Sequence, residues 1–434
     1  EIVFGDWSSA VCSSDLPFHV RDAVAAALGV KGSEIVVRPG YLGPHLDGKL
    51  WYPSLLACHV AIVARLMGRP CLLQLSREED FLYTTKRTPS LAAYRVGLDK
   101  EGRISAIDAS VSLDTGAYSP LAKAIAQKTV ETICGAYESP ALRCKVWAVS
   151  SNSPPMGAYA GIGGASIQFA IERIADCCAM EAGKDPVAWR LENFTPRNEA
   201  GPTGRNRRNA QLKELFDELQ DISDYRRKRS AYELIRKRRP DPEAAPGFGI
   251  GMAFGYQTND GTRLLGGTTG MAVEATLDKQ SRLTILTSVL PSDPRAIDLW
   301  KREAAETLDI EPGSVHILPV GTDSVPDSGA AAFSSGVSII TGLIADACEG
   351  IRSKRFREGL PITVRKTPRR KRRIPSALDG ASWGGAVVEL SVDPLEPDPV
   401  VRGIWMAVNA GRILSLEHAR SEERRVGKEC RSRW

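Results

Sequence analysis

Apolar positions along the chain switch repeatedly between a spacing of two and a spacing near 3.6, so strands and helices alternate rather than cluster. Residues Glu34–Arg38 read as a strand, and 55–67 as a helix with Ser54 as its N-cap and Gly68, followed by Pro70, as its stop. Leu55, Leu56, Val60, Ile62, Val63 and Leu66 put apolar groups on most faces of that helix, which predicts burial between layers. His59, alone within it, is expected to be a satisfied core residue. Strands follow at 71–75 and 91–98, and the turn Asp99-Lys100-Glu101-Gly102 leads into 104–113, so 94–113 predicts a β-hairpin. A strand over 142–149 enters the Pro/Gly-rich loop 153–164, and a helix runs from Ser166 to Ala182. A loop that delivers backbone N–H groups at a helix start suits phosphate or another anion, and equally an ordinary strand-to-helix turn.

The polar, Arg-rich stretch 196–245 carries helical charge patterning at 211–219 and reads as a connecting arm. A second unit begins near Gly247. Its pattern predicts a hairpin of 271–277 with 283–289, helices at 299–308 and 339–354, and strands at 315–319, 383–392 and 401–409. The fold class expected is α+β, in layers.

At 434 residues the chain is long enough for two or three domains, because a single core rarely grows past roughly 250 to 300 residues. With 43% hydrophobic and 25% charged residues it has the balance of a soluble globular protein, and no apolar run approaches the roughly 20 residues of a membrane span. The net charge of +5 is bunched at 226–229, 236–239 and 366–373. These clusters read as solvated loops; without interleaved aromatic residues they argue against nucleic acid as a partner. Nine cysteines lack C-x-x-C spacing, and the adjacent Cys177 and Cys178 cannot form the usual chelating pair, so no metal site is expected on this chain. Cys58, Cys71 and Cys348 read as buried reduced thiols, which points to the cytoplasm. Residues 1–16 and 419–434 match neither neighbour in pattern and look like translated sequencing-adaptor read-through, so they are set aside and the chain is expected to be a piece of a longer one.

Four ordered stretches resemble the molybdenum-cofactor-binding large subunit of xanthine dehydrogenase and aldehyde oxidase type hydroxylases. The first runs from Ile35 to Lys49 and on through Gly68-Arg69-Pro70 to Arg77-Glu78-Glu79-Asp80, where the family has a strand, a G-G-x-F-G-G-K loop, a helix, G-R-P and R-E-E-D. The second is Arg87-Thr88-Pro89 through Asp114-Thr115-Gly116-Ala117-Tyr118 to Gly135-Ala136-Tyr137, similar to R-H-P, D-x-G-A-Y and G-P-Y. The third is Pro155 to Gly164 with Glu172 and 185–193 after it. The fourth covers 308–342 and 383–414.

The resemblance implies two layered molybdopterin-binding domains, 17–195 and 246–418, joined by 196–245. It implies a molybdenum-cofactor-binding subunit of an oxidoreductase that hydroxylates a purine-like N-heterocycle or an aldehyde, with water as the oxygen source. Iron–sulfur and FAD centres are then expected on partner subunits only. Arg87 falls on the family's substrate-side arginine, where a permanent planar cation would stabilise developing negative charge; the competing reading is an ion pair with Glu78 or Glu79. Gly43, Leu46, Gly48 and Lys49 match the first glycine loop, Tyr159, Ala160, Gly161 and Gly163 the loop flanking the cofactor, and Ser335 and Gly411 the segments of the second domain. Departures from the family pattern cluster there too. Pro44, His45 and Asp47 replace loop glycines, Leu46 a phenylalanine, Ala160 an arginine, and 290–294 the family's G-Q-G segment, while Gly321, Phe333, Ser334 and Asn409 also differ. They motivate an alternative, a non-catalytic paralogue serving as a structural or assembly subunit. The family's base glutamate lies past the point where the resemblance stops, so no residue here matches it.

Overall fold

Among the described residues four sheets, each with helices laid on it, account for the alternating pattern. The computed structural model describes residues 2–6, 9–12, 14–40, 46–194, 212–238, 247–257, 271–289, 294–318, 321–330, 335–368, 382–396 and 398–410.

The first sheet takes β1 (Ile2–Asp6), β2 (Ser9–Cys12), β3 (Val36–Pro39) and β4 (Cys71–Leu73) in the order β3-β2-β1-β4. Residues 2–6 and 9–12, set aside on their pattern, thus supply two of its strands. Helix α1 (Pro17–Leu28) opens on a proline, whose missing N–H costs nothing at that position, and closes on Gly29 in the left-handed region at φ 67°. It packs Val20 and Val24 with Ala57, Val60, Ala61 and Ala64 of α2 (Tyr52–Met67). Helix α2 is therefore buried along one stripe only: Ile62, Val63, Leu66 and Met67 are exposed, and so is His59. Overall apolarity overstated its burial, because the small residues Ala57, Ala61 and Ala64 are what allow α1 to approach. Trp51, three residues earlier than Ser54, is the N-cap, and the Ser54 hydroxyl meets His19 Nδ1 at 2.7 Å.

After the short α3 (Arg77–Tyr83), the second sheet joins β5 (Ser90–Leu98), β6 (Ile104–Gly116) and β7 (Leu142–Ser150). The hairpin is as expected, with Tyr94 opposite Ala109, and β7 runs parallel to β6. Helices α4 (Ala122–Thr132), α5 (Ala165–Glu181) and α6 (Pro186–Asn193) close its core around Ile107, Val111, Ile125, Ile167, Ile171 and Trp189.

Within the stretch read as a connecting arm, residues 212–238 form α7 (Leu212–Ser223) and α8 (Tyr225–Arg238). Leu212, Leu215, Phe216 and Leu219, at i, i+3, i+4 and i+7, bury one stripe of α7 in a core with Ile250, Met252 and Phe254 of β8 (Gly247–Gln257). The basic cluster 226–229 lies on α8 instead of a loop, and Lys228 reaches the buried Glu389 at 2.7 Å.

The chain then builds β9 (Val273–Leu277), β10 (Leu283–Leu286), α9 (Pro294–Leu308), β11 (Val315–Leu318), α10 (Ser335–Lys354) and β12 (Ile362–Lys366), with sheet order β11-β10-β9-β12. It returns as β13 (Ser382–Val392) and β14 (Val400–Asn409), which complete the sheet begun by β8 in the order β14-β13-β8. Among the described residues no helix is long and apolar enough to cross a membrane. Cys348 is fully buried, which pushes its thiol up to about 12, whereas Cys58 and Cys71 are half-buried.

Helix α5 seats its side chains along the free edge of β8. Gln168 Nε2 donates to the Tyr256 carbonyl at 2.5 Å, and the Tyr256 amide donates to Gln168 Oε1 at 3.0 Å. One helical turn on, the Glu172 carboxylate is hydrogen-bonded by the backbone of Phe254. Gln168 and Glu172 rise by one turn, about 6 Å, which matches the roughly 6.8 Å between Phe254 and Tyr256 along a strand. Glu172 is itself held by Tyr137 at 2.5 Å and by the buried Arg190 at 2.9 Å.

Candidate functional site

The loop from Pro155 to Gly164 owes its path to tight backbone docking. The Gly157 amide donates to the Lys86 carbonyl at 3.0 Å, and a side chain at Gly157 would lie 2.8 Å from Thr85 Cβ. Gly163 sits at φ 65°, where a Cβ would be 2.4 Å from the Ile125 carbonyl oxygen, while Thr129 Oγ1 donates to the Gly163 carbonyl at 2.9 Å. These two glycines are demanded by packing within the protein.

Docked in this way, the loop turns the Tyr159 ring under Arg87, whose guanidinium carbon lies 5.5 Å from the ring centroid. Leu46, Gly48, Lys49, Arg87 and Tyr159 then line one cavity of about 510 Å³, together with Asp15, Asp80, Phe81 and Lys86. Lys86 is already spent on local acceptors, with Nζ 2.5 Å from the Asp80 carbonyl and 2.7 Å from Thr84 Oγ1; burial pushes its ammonium below the usual lysine range. The ion pair considered for Arg87 does not form. Glu79 instead accepts from the Ser76 amide at 2.7 Å, closing a capping box on α3 that holds its carboxyl below the usual range. Arg87 remains exposed at the cavity rim.

The other expected residues are spread around this cavity. Gly163 joins Arg87 and Tyr159 in a narrow neck, Ala160 is half-buried in the loop, and Gly161 faces a second groove. Ser335 is the first residue of α10, whereas Gly43 and Gly411 lie outside the described residues. Asp47 is buried with φ at 62°, so the loop uses a left-handed turn where the family carries glycine.

The second groove, about 440 Å³, opens between the Gly161–Gln168 turn and the β8-β13 face, and Lys128, Thr132, Gln168, Tyr256 and Trp383 line it. Lys128 is buried and pairs with Glu131 at 2.9 Å. Motif reading missed it. The available signal was a charge on the buried stripe of α4, at the spacing of Ala124, Ile125, Lys128, Thr129 and Thr132.

Residues 6–194 match the family model described as the molybdopterin cofactor-binding domain. Among curated proteins, a xanthine dehydrogenase of Calliphora vicina is 24% identical over 348 residues, covering 79% of this chain and 25% of its own length. A putative xanthine dehydrogenase molybdenum-binding subunit of Escherichia coli (strain K12) is 26% identical over 337 residues, covering 76% of this chain and 43% of its own. The chain thus spans less than half the length of these relatives. Its fold matches that of quinoline 2-oxidoreductase from Pseudomonas putida 86 with a TM-score of 0.79 at 20% identity, over 94% of this chain and 58% of that one. Aldehyde oxidoreductase from Desulfovibrio gigas aligns with a TM-score of 0.74 at 19% identity, over 94% and 47%. An α+β architecture shared with solved molybdenum hydroxylases, and the family match over residues 6–194, which carry the cavity, lead to one assignment: the chain carries a molybdopterin cofactor-binding domain and is similar along most of its length to the xanthine dehydrogenase and aldehyde oxidase family.

Proposed function

We propose that this chain holds molybdopterin and serves as the molybdenum-cofactor-binding subunit of an oxidoreductase. Its reaction is the hydroxylation of a purine-like N-heterocycle or an aldehyde, with water as the oxygen source. The observation that carries this reading is the convergence of Leu46, Gly48, Lys49, Arg87 and Tyr159 on one cavity. The donor set suits an anionic group with a flat ring. Lys49 and Arg87 would face phosphate charge, the bare backbone at Gly48 leaves room beside the Tyr159 ring, and that ring would flank the pterin. When bound, the group supplies a two-electron redox centre. An iron–sulfur subunit and an FAD subunit would take the electrons onward, since the cysteines of this chain offer no chelating spacing. Two cofactor-facing regions, 17–195 and 246–418, would clasp the group, with Ser335 and Gly411 contributed by the second. Its place is the cytoplasm.

A second reading, a structural or assembly subunit, draws on Ala160 and the buried Asp47, which supply no cation and add a negative charge beside the cavity. Metal analysis separates the two. Purified from a molybdate-fed, cofactor-competent host, the protein is expected to carry near-stoichiometric molybdenum. Trace metal in a correctly assembled protein would sink the enzyme reading and leave the structural one.

A further inference from the structure

The neck beside the cavity has unused hydrogen-bonding capacity. Its volume is about 10 Å³, room for one atom of water or chloride size. Thr88 lines it and is 6% exposed, and its Oγ1 is buried without a hydrogen-bond partner among the described residues. The first turn of α5, a helix of 17 residues, supplies Ser166 and Ile167 to the same wall. The amides of Gly164, Ala165 and Gln168 are satisfied within the turn, whereas those of Ser166 and Ile167 have no acceptor among the described residues.

Donors outnumber acceptors here. Two amides and the Arg87 guanidinium can only donate, the hydroxyls of Thr88 and Ser166 can do either, and among the described residues no carboxylate lines the neck. A water molecule would have to spend both hydroxyls as acceptors of its protons, leaving their own protons to find partners elsewhere. A monoatomic anion accepts from every group present, and the positive end of the helix dipole adds to the attraction.

We propose that the neck between Thr88 and the first turn of α5 is a halide site, holding chloride in ordinary buffers. Bromide is the probe. Crystals of the full chain soaked in sodium bromide should show an anomalous peak in the neck, within hydrogen-bonding reach of Thr88 Oγ1 and the Ser166 and Ile167 amides. In solution, replacing gluconate by bromide at constant ionic strength should raise the melting temperature of the wild type. Thr88→Val, which keeps the shape and removes the hydroxyl, should need about tenfold more bromide for the same rise, and Thr88→Ser should restore the response. A neck without the peak, holding water or nothing, overturns the proposal, as does a Thr88→Val protein that responds to bromide like the wild type.

Discussion

Asp114 shows how much of the site rests on single carboxylates that never reach it. Its Oδ1 accepts from Ser151 Oγ at 2.6 Å and from the Gly116 amide at 2.9 Å, fixing the turn from which Pro154 and Pro155 launch the loop. The Ser151 hydroxyl, and then the Gly116 amide, hold the carboxyl below its ordinary value of 3.8. A carboxyl depressed in the folded state contributes stability above the unfolded-state value and loses it as pH falls through the folded one. Asp114→Asn is therefore expected to flatten the fall in melting temperature below about pH 4, measured by thermal scans across pH. At this scale the motif series picked out Leu46, Gly48, Lys49, Arg87 and Tyr159, which line one cavity, because each sits at a fixed distance from a glycine or proline that shapes the backbone. It missed Lys128, which no turn residue marks, and misjudged His59, whose exposure depends on which stripe of α2 meets α1.

Of these two elements α7 was legible as a helix, α8 was read as loop, and neither was legible as core. Their charge content hid a stripe of four apolar residues, and the strands it covers lie far away in sequence: α7 at 212–223 packs on β13 and β14 at 382–409. Phe216 is 2% exposed in that core. Phe216→Ala is expected to cost about 3 to 5 kcal/mol in urea unfolding, as a truncated buried aromatic does. A solvated arm would change by no more than about 0.5 kcal/mol. By contrast the two predicted hairpins formed where expected, because a short turn such as Asp99–Gly102 fixes its own register, with the Arg103 amide donating to Asp99 Oδ1 at 2.8 Å.

Across the whole molecule the order of elements followed the apolar pattern, while their grouping into four sheets did not. The sheet order β14-β13-β8 pairs Tyr256 with Trp383 across the entire β9–β12 layer, and local periodicity carries no record of so distant a partner. The same sheet leaves β8 at its margin. An open margin is a template on which a second chain can add a strand and begin a fibre. Because the Gln168 amide group supplies one N–H and one C=O to Tyr256, as a neighbouring peptide would, and Glu172 takes up the next outward position at Phe254, α5 stands where an incoming strand would have to lie. Gln168→Ala should then do more than loosen the joint between the halves. On mild warming it is expected to scatter light and bind thioflavin sooner than the wild type at equal concentration. Equal aggregation rates would show that the blocking contact lies elsewhere along β8. The glutamine is thus a guard on solubility, a duty separate from any cofactor the neighbouring cavity holds.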